Sequence, residues 1–111
     1  MDATQFQRIA KALADPRRFE ILEVIASAGD DLCCGTVVER FPVAQATVSH
    51  HLKELTDAGL IVTRCEGQFK YLRARPDVLD EYVNELRRRI KAPPGRSLRA
   101  KRVSRQKSAK A

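Results

Sequence analysis

The chain has 111 residues, a formal net charge of +7 and three cysteines, which is room for one domain rather than two. No apolar run approaches the roughly 20 residues that cross a bilayer, and the N-terminus lacks the basic-then-apolar layout of a signal peptide, so a cytoplasmic protein with no membrane partner is expected. An odd cysteine count, with Cys33 and Cys34 adjacent, argues against a secreted disulfide framework.

In chain order, Phe6, Ile9, Ala10 and Leu13 recur at i, i+3, i+4, i+7 and predict a first helix over residues 4–13. Asp15 and Pro16 supply an N-cap and a first-turn proline for a second helix over residues 16–28. Its expected buried face is Phe19, Leu22, Ile25 and Ala26, and Gly29 ends it. Residues 30–32 read as a short extended step, and a third helix is expected from residue 34 to 40 or 41. Pro42 and Val43 make a tight turn into a fourth helix. There Val48, Leu52 and Leu55 share one apolar face, while a step of about 100° per residue puts Ala46, His50 and Lys53 opposite. Thr47 and Ser49 flank that polar face, His51 lies at the edge of the apolar one as a structural residue hydrogen-bonded near the backbone, and Gly59 stops the helix. A small apolar group, an imidazole and a cation suit reading of a DNA major groove: a methyl contact to thymine, hydrogen bonds to base edges and a phosphate anchor.

After Gly59 the period changes from 3.6 to 2. Residues 60–64 and 69–75 are β-rich around the turn Glu66-Gly67-Gln68, which predicts a hairpin. Arg64, Lys70, Arg73 and Arg75, against Glu66 alone, give it a positive surface suited to phosphate oxygens. Pro76 and Asp77 open a last helix with the stripe Leu79, Tyr82, Val83, Leu86 and Ile90, and with Arg87, Arg88, Arg89 and Lys91 where cations suit the helix dipole. Pro93-Pro94-Gly95 breaks it. Residues 92–111 hold seven of the 21 Lys and Arg and no acid, leaving fourteen cations against fourteen anions in residues 1–91. Two segments are therefore expected: a folded domain over 1–91 and a basic, disordered tail over 92–111. The tail suits a nonspecific DNA-binding arm or a solubilising extension. The fold class is mainly α with a small β-hairpin, in the order α-α-β-α-α-β-β-α, a winged helix-turn-helix.

Several short segments carry a family likeness. They are Leu13-Ala14-Asp15-Pro16-Arg17-Arg18 with Ile21-Leu22, then Gln45-Ala46-Thr47-Val48-Ser49-His50-His51-Leu52 with Leu55 and Ala58-Gly59-Leu60, then Arg64, Glu66-Gly67 and Tyr71. Over residues 4–90 the chain resembles the arsenic-repressor (ArsR) type of small bacterial winged-helix regulators. The resemblance implies a sequence-specific repressor of double-stranded operator DNA, with Gln45 joining the DNA-facing set. It also implies a homodimer in which the first and last helices pack across a two-fold axis. Phe6, Ile9, Leu13, Leu79, Tyr82, Val83, Leu86 and Ile90 are then the interface, and half-sites lie about 10 base pairs apart or a multiple of that.

Arsenic-sensing members of this type place Cys-Val-Cys at the start of the third helix. Here Cys33-Cys34-Gly35 stands there, and the last helix has no histidine for a zinc site. No metal or cofactor is therefore expected. Cys33 and Cys34 remain candidates for a thiol-reactive or redox signal, since a helix N-terminus lowers a thiol pKa; as small buried side chains they equally suit packing alone. Two other readings stay open: a winged-helix protein-interaction module with a basic docking tail, and a constitutive regulator without an effector. A thiol redox enzyme lacks Cys-x-x-Cys spacing and a βαβ scaffold, so no catalytic residue is assigned.

Overall fold

Asp2 accepts the backbone N–H of Gln5 at 2.8 Å and caps α1 (Ala3–Ala14). Asp15 does the same for α2 (Pro16–Ser27), taking the N–H of Arg18 at 3.1 Å with Pro16 in the first turn. The computed structural model describes residues 1–91, and the predicted basic tail lies outside the described residues. β1 (Leu32–Cys33), α3 (Cys34–Arg40), α4 (Gln45–Asp57), β2 (Ile61–Glu66), β3 (Phe69–Ala74) and α5 (Pro76–Ile90) complete the order expected from the sequence. The strands form one antiparallel sheet ordered β1-β3-β2. The short extended step before α3 thus becomes a third strand, with Leu32 opposite Leu72 and Cys33 opposite Tyr71. The hairpin register pairs Glu66 with Phe69, so the turn is Gly67-Gln68.

One core holds the elements together, and α4 packs against α1, α2, α3 and β2. Val48, Leu52 and Leu55 are its contribution, as their spacing predicts. Each apolar side chain of this kind contributes about 1.5–3 kcal/mol by leaving water.

The expected buried face of α2 needs correction. Ile21 and Ile25 are the buried pair, Leu22 is half-buried, Ala26 is exposed, and Phe19 is 43 % exposed. Arg18, Ile21 and Ile25 stand at i, i+3, i+7 and so share one face; that face meets α4, where Arg18 Nε also donates to His51 Nδ1 at 3.2 Å, and Phe19 lies off it.

Gly59 ends α4 at φ +85°, with the N–H of Leu60 donating to the Leu55 carbonyl at 3.0 Å. An added Cβ meets Gln5 Nε2 at 2.9 Å. That is the movable end of a long side chain, so the backbone conformation dominates the strain. Gly59→Ala is expected to lower stability by about 1–2 kcal/mol in urea unfolding; an unchanged midpoint would refute the left-handed cap.

Candidate nucleic-acid interface

Gln45, Ala46, Thr47, Ser49, His50 and Lys53 are all exposed on α4. On the helical wheel they are centred on Ala46 and Lys53, and Ser49 and His51 lie about 100° to either side of His50. Ala44 at the N-cap makes no side-chain bond, so no cap competes for the first-turn amides. Lys53 Nζ is 2.8 Å from Asp57, an exposed pair one turn apart. The hydrogen bond from Lys53 holds the Asp57 carboxyl below its usual range.

The sheet flanks α4 on the Ser49 side. Thr56 Oγ1 lies 3.1 Å from Thr63 Oγ1 of β2, and a groove of ≈ 400 Å³ between helix and hairpin is lined by Ser49, Lys53, Thr63, Lys70 and Cys34. Strand alternation puts Thr63, Cys65, Lys70 and Leu72 on this face and Val62, Arg64, Tyr71 and Arg73 on the other.

The expected positive surplus of the hairpin is corrected, because Asp30 and Asp31, distant in sequence, and Asp77, just beyond β3, meet its arginines. Arg64 donates to Asp31 at 2.8 Å, lies 3.3 Å from Glu66 and stands 4.8 Å above the Tyr71 ring. Arg73 reaches Asp31 at 3.1 Å and Asp30 at 3.3 Å. Arg75 is bidentate to Asp77 at 3.0 and 2.7 Å. The Arg64 hydrogen bond, helped by Arg73, holds the Asp31 carboxyl below its usual range. Lys70 alone of the four hairpin cations shares the groove with α4.

On the opposite flank His51 is 7 % exposed. It is structural, as expected, but its partner is the Arg18 side chain rather than the backbone. Burial pushes its pKa down, which favours the neutral ring, and the Arg18 N–H selects the tautomer whose Nδ1 accepts. Arg18, which supports His51, has no role assigned by the sequence: it lies in the Asp15-Pro16-Arg17-Arg18 segment, and nothing local points it at His51. Asp30 and Asp31 gave no local signal either.

The eight expected interface residues divide. Ile9 is wholly buried in the protomer's own core and leaves the interface set. Phe6 is buried too, its ring centroid 5.1 Å from that of Tyr82 and 4.3 Å beneath the Arg89 guanidinium. Leu13 and Tyr82 pack half-buried against the core. Leu79, Val83 and Ile90 are exposed and Leu86 is half-buried. Cys33 occupies the N-cap position of α3 without a side-chain bond. Cys34 is half-buried, and burial pushes its thiol pKa up. Among the described residues no group of three or more His, Cys, Asp or Glu is placed to hold a metal ion, and no helix is long and apolar enough to cross a membrane.

A family model for a helix-turn-helix domain matches residues 13–64. An arsenical resistance operon repressor of Staphylococcus xylosus is 35 % identical over 85 residues, 77 % of this chain and 79 % of that protein. The chain belongs to the ArsR family of transcriptional regulators. Among solved structures, an ArsR-like transcriptional regulator from Rhodococcus sp. RHA1 superposes with a TM-score of 0.70 at 28 % identity, over 87 % of this chain and 89 % of that one. The winged helix-turn-helix domain of Mb0332 from Mycobacterium bovis, described as homodimeric, has the same fold (TM-score 0.62, 24 % identity, 91 % and 88 % covered). As an ArsR-family member the chain is a DNA-binding transcriptional regulator and not an enzyme.

In this ArsR-family chain Asp31→Asn removes the charge that engages Arg64 and Arg73. The fall of duplex affinity with salt should then steepen, each further phosphate contact adding about 0.9 to the log–log slope. Fluorescence anisotropy at several salt concentrations reads it; an unchanged slope would mean that neither arginine reaches the duplex.

Proposed function

We propose that the chain is a sequence-specific repressor that acts in the cytoplasm as a homodimer and occupies a two-fold operator. The observation that carries the reading is the polar face of α4, six exposed side chains opposite a buried stripe, with Lys70 across the groove. Gln45, Thr47, Ser49 and His50 offer hydrogen bonds to base edges, Ala46 a methyl contact, and Lys53 and Lys70 phosphate contacts. Arg64, Arg73 and Arg75 reach phosphate only by exchanging a carboxylate for it. The basic segment 92–111 adds sequence-independent attraction.

A second copy of the chain accounts for the outer face of α5. Leu79, Val83, Leu86 and Ile90 stand at i, i+4, i+7, i+11 and fall within about 60° of one another, and Ile90 is 65 % exposed. Selection from a random duplex pool should return half-sites about 10 base pairs apart, or a multiple. Val83→Glu combined with Ile90→Glu should yield single copies by sedimentation and weaken operator binding at least tenfold. Random recovered sequences, or a doubly substituted chain that still pairs, would overturn the reading.

Release by a thiol signal is favoured by one observation: Cys34 borders the groove between α4 and the hairpin. Burial raises its thiol pKa and so lowers the share of reactive thiolate. Peroxide should weaken operator binding of the unmodified chain, reductant should restore it, and Cys34→Ser should be indifferent to both. Peroxide without effect on the unmodified chain would leave a regulator with no thiol switch.

A further inference from the structure

A helix in the major groove is walled by two sugar-phosphate strands, because a groove about 12 Å wide admits a helix about 10–12 Å across. On one flank of α4 stands Lys70, in the groove lined by Ser49 and Lys53. The other flank carries His51, about 100° from His50 in the opposite sense, and there the first turn of α2 arrives. Arg18 Nε donates to His51 Nδ1 at 3.2 Å. That engages one of the five N–H groups of the guanidinium; the four on its Nη atoms have no hydrogen-bond partner among the described residues. Arg18 also lines an open cleft with Arg8, Lys11, Asp15, Glu54 and Asp57, so solvent reaches it.

Arg17 stands next to it. Its guanidinium carbon is 5.6 Å from the centre of the Phe41 ring, at the turn that leads from α3 toward α4. Its ion pair with Glu20 is loose, 3.5 Å between exposed groups. Asp15, the nearest acid in sequence, is committed to capping α2 through the Arg18 N–H.

We propose that Arg17 and Arg18 bind backbone phosphates of the strand across the major groove from the hairpin, so that α4 is held from both sides. The planar guanidinium fork matches phosphate oxygens two at a time. Val48, Leu52 and Leu55 anchor α4 to the core from behind, and these contacts fix its depth and tilt in the groove from the front. The inference rests on the duplex-binding reading above and adds to it the residues that grip the second strand.

The test uses the full chain, with an operator recovered by selection and a scrambled duplex of equal length, over 50–200 mM salt. Arg17→Ala and Arg18→Ala should each weaken both duplexes alike, by about tenfold at fixed salt, and each should lower the log–log salt slope by about 1. Arg18→Lys should keep the slope. Circular dichroism checks folding; should Arg18→Ala unfold, Arg17→Ala and Arg18→Lys carry the test. Folded alanine variants with the unmodified slope, or a loss confined to the operator, would overturn the inference. An unmodified chain that binds no duplex would instead overturn the repressor reading beneath it.

Discussion

The hydrogen bond from Arg18 Nε to His51 Nδ1 joins α2 to α4 at the solvent edge of the core that Ile21, Ile25, Val48 and Leu55 form, and it adds direction to their packing. Leaving a buried imidazole nitrogen without a partner costs about 1–3 kcal/mol, so rotations of either helix that break the pair are disfavoured. With the pair made, Ile21 and Ile25 face inward and Phe19 does not. On α4 the same contact separates two neighbouring histidines, with His51 buried and His50 exposed beside Ala46, Thr47, Ser49 and Lys53. Which polar side chains α4 presents is thus set by its buried stripe from behind and by the Arg18 contact at its flank.

Charge placement follows a similar logic. Residues 1–91 carry equal numbers of acids and bases, yet the acids are not evenly spread. Asp31 meets Arg64 and Arg73, Asp77 meets Arg75, and Glu85 meets Arg88 and Arg89, which hold its carboxyl down at about 2. Exposed ion pairs of this kind add little stability. Their larger effect is on the field: Asp30, Asp31, Glu66 and Asp77 neutralise the arginines on the far side of the hairpin, while Lys70, on the side that faces α4, has no carboxylate partner among the described residues.

α5 carries two apolar stripes rather than one. Val78 and Tyr82 turn inward, Tyr82 onto Phe6, and Arg89 closes over the same ring. Leu79, Val83, Leu86 and Ile90 form the second stripe, which the protomer leaves largely uncovered. A small domain has a limited core of its own, and α5 completes that core with one face while its other face keeps apolar side chains at the surface. Phe6 and Ile9, apolar and regularly spaced, belong to the inward face of this arrangement, although the family resemblance implies them as contact residues for a partner.

The order of elements, the recognition helix and its exposed set were determined by the sequence alone, because they rest on local physics: Asp15-Pro16 and Gly59 punctuate helices, Val48, Leu52 and Leu55 keep a helical period, and alternation after Gly59 makes a hairpin. The family segments were equally plain, being contiguous. Tertiary structure decided what depends on distance along the chain. Whether Arg64 and Arg73 are free, which face of α2 is buried, and which apolar stripe stays uncovered all hinge on partners up to about forty residues away. Periodicity reports that a side chain is apolar or charged, but not which neighbour reaches it first. Only the packed chain settles that competition, by bringing Asp31 to the hairpin and Arg18 to His51.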